Sequence, residues 1–180
     1  MNIIALMGCP RKNSNTDILL DEMIKGAEEA GHTVTKYCVG DLNISACKGC
    51  GTCMTGRNCV LDDDGLKISH EIREADGLIV STPIYFGQMT GELKVLIDRL
   101  FGITNNPFIN LSGKVMLIFT HLGPEGYYDS YIDLMKIQPF QMNMHYEVAG
   151  VLDVGNLGSV YNQPNKLLDA YNMGKSFMKD

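Results

Sequence analysis

The sequence predicts an α/β fold in which a doubly wound, five-stranded parallel sheet carries helices on both faces. Short apolar runs alternate with amphipathic stretches along the whole chain, which is the order expected of repeated β–α units. The first run, 3–7, is apolar throughout, as is typical of a strand buried on both faces. Helical stretches between successive strands favour right-handed crossovers and therefore parallel pairing. We expect one domain over 1–180, without a repeat or a linker.

The first half of the chain predicts two strands, at 3–7 and 34–39, with a helix between them that begins at about Thr16. The apolar residues of that helix share one face: Leu19, Leu20, Met23, Ile24, Ala27 and Ala30. Gly31 is expected to end the helix, because glycine tolerates the left-handed backbone of a C-terminal cap. A segment rich in cysteine follows at about 44–61, and it has no periodicity that indicates a helix or a strand.

The second half predicts three more strands, at 78–82, 115–120 and 148–154. The helices between and after them are marked by apolar positions at helical spacing: Leu66, Ile68, Ile72 and Ala75, then Leu93, Leu96, Ile97, Leu100 and Phe101, then 130–138 and 165–177. Thr90 is expected to cap the second of these helices and an aspartate of 62–64 the first. Pro139 is expected to end the helix at 130–138.

Composition excludes several functional classes. The chain has 180 residues, 45% hydrophobic and 20% charged, with a net charge of −6 that argues against a nucleic-acid partner. No apolar stretch is long enough to cross a membrane. Because the N-terminus lacks the basic start and the cleavage site of a signal peptide, we expect a cytoplasmic protein.

Four of the six cysteines lie within thirteen positions, in the pattern Cys47-x2-Cys50-x2-Cys53-x5-Cys59. In a reducing cytosol, clustered thiols favour metal or redox chemistry over structural disulfides. An iron–sulfur cluster, a zinc site and a redox-active dithiol are the three explanations. Cys38 lies outside the run, and we expect it in the core.

The loop after the first strand is a candidate phosphate site. It contains Cys9, Pro10, Arg11, Ser14, Asn15 and Thr16. Ligands of such sheets settle at the carboxyl ends of the strands, where backbone N–H groups and a helix N-terminus can face a phosphate. The alternative is a plain helix cap. The loop matches neither the P-loop nor the Gly-x-Gly-x-x-Gly pattern, which argues against a nucleotide triphosphatase and a classical dinucleotide fold.

The loops after strands three and four are candidates for binding a flat ring. The first contains Pro83, Ile84, Tyr85, Phe86 and Gly87, and the second Thr120, His121 and Gly123. Aromatic side chains with nearby backbone hydrogen-bonding groups suit a ring that needs an apolar surface and a polar edge. The alternative is that Tyr85 and Phe86 only pack the loop onto the sheet. We expect His121 to be exposed and without a role.

Four motifs in order resemble the flavodoxin-like NAD(P)H-dependent FMN reductase superfamily, and within it the iron–sulfur flavoproteins. They are Gly8-x-Pro10-Arg11-x-x-Ser14-Asn15-Thr16, the cysteine run, Thr82-Pro83-Ile84-Tyr85-Phe86 and Leu93-Lys94-x3-Asp98-Arg99. The resemblance covers about 1–155 and implies strand order 2-1-3-4-5 and one FMN per subunit. Its phosphate would lie at Cys9 to Thr16 and its ring between Pro83 to Gly87 and Thr120 to Gly123. The family usually has serine where this chain has Cys9.

The resemblance also implies a redox function. NAD(P)H or ferredoxin would be the electron donor, a small molecule or a protein the acceptor, and the assembly a homodimer or homotetramer. Proteins similar to this one bind a [4Fe–4S] cluster with the four cysteines, and metal-free thiols or zinc are the alternatives. No side chain is predicted to act as a nucleophile or general base, and the charged pairs of 92–99 are expected to be exposed. A redox sensor without catalysis and a zinc-stabilised interaction module are the alternative functions.

Overall fold

The structure, a computed structural model, describes residues 1–156 and 158–178. It contains a five-stranded parallel sheet in the order β2-β1-β3-β4-β5, which confirms the predicted fold. The strands are β1 Asn2–Met7, β2 Thr33–Cys38, β3 Gly77–Pro83, β4 Gly113–Thr120 and β5 Tyr146–Val154. The helices are α1 Asn15–Glu29, α2 Asp64–Glu74, α3 Gly91–Arg99, α4 Phe101–Thr104, α5 Asp129–Met135 and α6 Pro164–Ser176. Short 3-10 turns lie at Val39–Asp41, Thr52–Thr55 and Val160–Asn162.

Each face of the sheet has its own core. Alternate residues of β1 point to opposite sides, so Ile4 and Leu6 belong to the core formed with α2, α3 and α5, whereas Ile3 and Met7 belong to the core formed with α1 and α6. This division explains why β1 is apolar at consecutive positions. Within the described residues, no helix is both long and apolar enough to span a bilayer.

Local signals placed most helix ends correctly. Ser14, Asp63 and Thr90 each cap a helix through a side-chain oxygen that accepts a backbone N–H of the first turn. Gly31 follows α1 with φ of +88°, and its N–H donates to the carbonyl of Glu28 at 2.9 Å. These contacts join neighbours in sequence, which is why the sequence predicts them.

The expectation that Pro139 ends a helix is wrong. After α5 the chain widens into a π-helical segment, Lys136–Asn143, that contains Pro139. The Pro139 carbonyl accepts the N–H of Met144 at 3.2 Å, the five-residue spacing of a π turn. Phe140, which is completely buried, anchors the segment to the core. The core contact therefore outweighs the local preference of proline to end a helix.

Helices α1 and α6 touch backbone to backbone through two glycines. A β-carbon on Gly174 would lie 1.9 Å from the carbonyl oxygen of Met23, and one on Gly26 would lie 2.0 Å from that of Tyr171. Any side chain at either position would therefore push the two helices apart.

We expect Gly174→Ala to destabilise the protein by about 3 kcal/mol, because the added methyl group forces the two helix backbones apart. Urea unfolding measures this change. Gly91→Ala is the control, since a β-carbon there meets no atom within 4 Å. Equal stability of the two variants would contradict the close helix packing.

Candidate functional site

The carboxyl ends of the strands form one rim, where hydrogen bonds join neighbouring loops. The N–H of Gly8, just after β1, donates to the carbonyl of Ser81 at 2.8 Å. The N–H of Ile84, just after β3, donates to the carbonyl of Thr120 at 2.8 Å. The loops predicted to bind a phosphate and a ring are thus held side by side.

The loop after β1 wraps around the N-terminus of α1. Asn13 has a φ of +56°, and its N–H donates to the Asp17 carboxylate at 2.7 Å. The Ser14 hydroxyl accepts the Asp17 N–H at 3.3 Å, so its side chain makes the plain cap that was the alternative to phosphate binding. The first-turn N–H groups of a helix have no acceptor within it, and together with the helix dipole they form a site for an anion.

Two of the predicted phosphate-binding side chains bind neighbouring loops instead. Thr16 is buried, and its hydroxyl hydrogen-bonds that of Thr120 at 2.7 Å. The Asn15 amide donates to the carbonyl of Gly158 at 2.7 Å and accepts the N–H of Val160 at 3.0 Å. Backbone N–H groups and Arg11 are therefore the groups of this loop best placed for an anion.

Arg11 connects the loop after β1 to the loop after β3. Its side chain is exposed, whereas Cys9 is buried in the core and Pro10 lies on the surface. The neighbouring Tyr85 hydroxyl, and to a smaller extent the Cys9 thiol, raise the pKa of Arg11. A permanent positive charge thus stands between the helix N-terminus and the candidate ring site.

The loop after β3 forms a tight turn that displays an aromatic ring. Tyr85 and Gln88 exchange two backbone hydrogen bonds, at 2.8 and 3.1 Å. The central residues, Phe86 and Gly87, have φ of +49° and +84°, the combination of a type I′ turn. Phe86 is fully exposed, and so it does not pack the loop onto the sheet; Ile84 is buried and does. A phenylalanine with positive φ is strained, which indicates a constraint at the rim.

The expectation that His121 is exposed is wrong. Its side chain is buried, and Nε2 lies 2.8 Å from the Asp153 carboxylate at the end of β5. Gly155 makes room for the ring, because a β-carbon there would lie 2.7 Å from Cε1 of His121 and 2.6 Å from the carbonyl oxygen of Gly123. Nδ1 of His121 is buried without a partner among the described residues. Asp153 on the neighbouring parallel strand β5 was the sequence signal that could have indicated a buried partner for His121.

The cysteines surround one cavity of about 180 Å³ between the segment after β2 and the junction of α3 and α4. Four thiols line it: Cys47, Cys50, Cys53 and Cys59. Three glycines of this segment have positive φ, as close spacing of the thiols requires: Gly49, Gly51 and Gly56. Burial raises the pKa of the Cys53 thiol, and the other three thiols raise it further, so each of them lies within electrostatic reach of Cys53.

The four thiols line a cavity and do not form a ready-made site for a single ion. Within the described residues, no three Cys, His, Asp or Glu side chains converge at coordinating distance on one point. A zinc site requires four donors at bonding distance from one ion. A cubane cluster takes one thiolate on each iron, so its ligands stand farther apart around a larger cavity. Four cysteines around one cavity supply the number of thiolates that such a cluster takes.

The expectation that the charged residues of 92–99 are exposed is right for Glu92, Lys94 and Asp98 and wrong for Arg99. Lys94 and Asp98 form an exposed pair one helical turn apart, at 2.5 Å. Arg99 is only 3% exposed, lines the cysteine cavity and lies 2.8 Å from the Asp63 carboxylate. The sequence missed this contact because the two residues are 36 positions apart.

Comparison with known proteins identifies the family. The model of the family described as NADPH-dependent FMN reductase matches residues 1–156. The chain belongs to this family. An iron–sulfur flavoprotein of Archaeoglobus fulgidus is 33% identical over 114 residues, which are 63% of this chain and 51% of the relative. An iron–sulfur flavoprotein of Methanosarcina thermophila is 35% identical over 99 residues, which are 55% of this chain and 52% of the relative.

The fold is also that of known reductases. The structure of the NAD(P)H:quinone oxidoreductase from Methanothermobacter marburgensis superimposes with a TM-score of 0.78 at 17% identity, covering 100% of this chain and 97% of the other. At this identity the likeness concerns the fold. The matched part of the chain spans about half the length of the curated relatives.

We expect Phe86→Gly to be about 1 kcal/mol more stable than Phe86→Ala, because glycine adopts positive φ without steric cost whereas alanine keeps the β-carbon. Both variants lose the exposed ring, so their comparison isolates the backbone. Thermal unfolding measures the difference. If the alanine variant were the more stable of the two, the turn could not have the described backbone.

We also expect acid to weaken the contact between Asp63 and Arg99. Burial alone would raise the pKa of Asp63, but Arg99 and the Ser45 N–H outweigh it and hold that pKa below its usual value. The stabilisation is therefore complete above the unfolded-state pKa of about 4 and is lost as the pH falls through the lower folded-state pKa.

The difference in unfolding free energy between the wild type and Asp63→Asn, measured with urea, should shrink as the pH falls from about 6 to about 3. Asp98→Asn is the control, because its pair with Lys94 is half-exposed. A difference for Asp63→Asn that is independent of pH would argue against a stabilising ion pair.

Proposed function

We propose that this chain is an FMN-dependent NAD(P)H oxidoreductase that also carries a [4Fe–4S] cluster on Cys47, Cys50, Cys53 and Cys59. The observation that carries the proposal is that the motifs converge on two defined places, the rim and the cysteine cavity. FMN, when bound, accepts a hydride from a nicotinamide and passes electrons on singly or in pairs. The protein supplies binding, orientation and shielding from water.

The phosphate of FMN would lie at the loop from Cys9 to Thr16. The first-turn N–H groups of α1 would donate to it, and Arg11 would supply the positive charge. Ser14, Asn15 and Thr16 would act chiefly by fixing the loop, since their side chains have partners within the protein. Burial of Cys9 supports a structural role for the residue that replaces the family's usual serine.

The flavin ring would lie between two loops of the rim. On one side are Pro83, Ile84, Tyr85, Phe86 and Gly87, and on the other Thr120 and Gly123. The exposed rings of Tyr85 and Phe86 support this placement, since they offer an apolar surface next to backbone N–H and carbonyl groups. The contact of His121 with Asp153 attaches the loop after β4 to the end of β5.

The proposed cluster site is joined to the rim by α3. Thr90, which caps this helix, donates its hydroxyl to the carbonyl of Gly8 at the rim, and Arg99 at the other end lines the cysteine cavity. A nine-residue helix is about 14 Å long, so one rigid element sets the separation of the two sites.

The protein would exchange electrons with a donor and an acceptor and associate with further copies of itself. NAD(P)H is the donor that the family's description supports, and ferredoxin is the alternative. The acceptor would be a small molecule or a protein, and the location cytoplasmic. Exposed apolar side chains next to the rim support a homodimer or homotetramer in which a second subunit covers them: Phe86, Leu122 and Tyr127.

The test is anaerobic purification of the whole chain, followed by quantification of FMN, iron and acid-labile sulfide and by an NADH and NADPH oxidation assay. We expect one FMN and about four irons and four sulfides per chain. FMN without iron would leave a reductase with metal-free thiols. Absence of FMN after incubation with the cofactor would overturn the proposal, and one zinc per chain would support an interaction module.

We expect Cys50→Ala to lose the absorbance and the iron of the cluster while FMN remains bound, because the cavity and the rim lie at opposite ends of α3. Cys38→Ala is the matched control, since Cys38 packs against the core formed with α1 and α6 and does not line the cysteine cavity. Full iron content in Cys50→Ala, measured beside the control, would exclude Cys50 as a ligand.

A further inference from the structure

Arg99 is a buried charged residue that lines the cysteine cavity. Its guanidinium forms three hydrogen bonds at the two ends of the cysteine segment (44–61). Nη1 donates to the carbonyl of Ser45 at 2.9 Å and to the Asp63 carboxylate at 2.8 Å, and Nη2 donates to the carbonyl of Leu61 at 3.1 Å. Ser45 precedes the first clustered cysteine and Leu61 follows the last one, so a single side chain closes the segment.

Asp63 completes this closure. Its carboxylate accepts the N–H of Ser45 at 2.9 Å and, at the start of α2, the N–H groups of Gly65 and Leu66 at 3.0 and 3.3 Å. Both ends of the cysteine segment are thereby attached to α2 and α3. A β-carbon on Gly65 would lie 3.3 Å from Cζ of Arg99, so a small residue is needed where the guanidinium crosses.

One donor of Arg99 is left over. Among the described residues, Nε is buried without a hydrogen-bond partner. Burial lowers the pKa of Arg99, but Asp63 and then the Cys59 sulfur outweigh this effect and raise it. Cys59 and Arg99 line the cysteine cavity together, and both also line a second, smaller cavity. A buried, unpaired N–H next to a ligand sulfur is costly unless that sulfur accepts it.

We propose that Arg99 is a positioning residue of the cysteine site, which holds the segment closed around its cavity and donates Nε–H to the sulfur of Cys59 when that thiolate binds iron. The second part rests on the proposed cluster. The first part concerns the fold of the segment alone. Hydrogen bonds and nearby charge at the sulfurs are among the properties that set the potential of such clusters, and donation to sulfur favours the reduced form.

Three variants and one control test both parts. Arg99→Lys keeps the charge but loses the planar fork and Nε–H. Arg99→Gln removes the charge. The double variant Asp63→Asn/Arg99→Gln leaves no unpaired buried carboxylate, and asparagine still caps α2. Arg73→Gln is the control, because Arg73 pairs with the exposed Glu74.

The first measurement tests the segment without metal. Trypsin can cleave inside it, after Lys48 and after Arg57. In chelator-treated protein we expect cleavage there to be at least about tenfold faster for Arg99→Gln and for the double variant than for the wild type, a change of about 1.4 kcal/mol in the opening equilibrium. Arg73→Gln should match the wild type. Unchanged cleavage in both Arg99→Gln and the double variant would overturn the closing role, whether or not the wild type binds iron.

The second measurement uses the anaerobically purified protein. Arg99→Gln and the double variant should lose most of the iron and keep FMN, and Arg99→Lys should retain iron with a more negative midpoint potential than the wild type. An unchanged potential in Arg99→Lys would overturn the donation to Cys59. If the wild type itself contains no iron, the cluster and the donation to its sulfur both fail, and the proteolysis result alone decides the closing role.

Discussion

Parallel pairing of all five strands is the constraint on which both candidate sites depend. It makes every strand end at the same edge, so loops that are far apart in sequence meet there. The backbone bonds from Gly8 to Ser81 and from Ile84 to Thr120 fix the order of those loops. The cysteine segment also starts from this edge, after β2, and can therefore reach the end of α3.

The two sites are stabilised in different ways. At the rim, neutral hydrogen bonds join neighbouring loops, as between Thr16 and Thr120, and a strained turn presents Phe86 to solvent. At the cysteine cavity, a buried ion pair between Arg99 and Asp63 holds a segment that has little regular secondary structure. Such a pair is costly to assemble in a dry environment, and it specifies one arrangement because few alternatives would satisfy both charges. A loop rich in glycine needs that restriction if its thiols are to stay together.

Local patterns predicted the fold well. The alternation of apolar runs and helical stretches predicted all five strands. Asp63 and Thr90 cap helices as expected, and Ser14 makes the cap that was the alternative to phosphate binding; capping joins close neighbours in sequence. The errors have a different origin. His121 and Arg99 were expected at the surface, and both are buried by partners 32 and 36 positions away. Pro139 lies inside a helical segment because burial of the neighbouring Phe140 outweighs its local preference.

The glycine contact between α1 and α6 affects where the chain can be shortened. The family match ends at residue 156, and α6 lies beyond it. Yet α6 packs beside α1 and completes this side of the core, where Ala170 and Phe177 are completely buried. A truncated protein that stopped at the family boundary would expose this side to water and to other molecules in solution. Its poor solubility would then result from the missing helix and would reveal nothing about the rim.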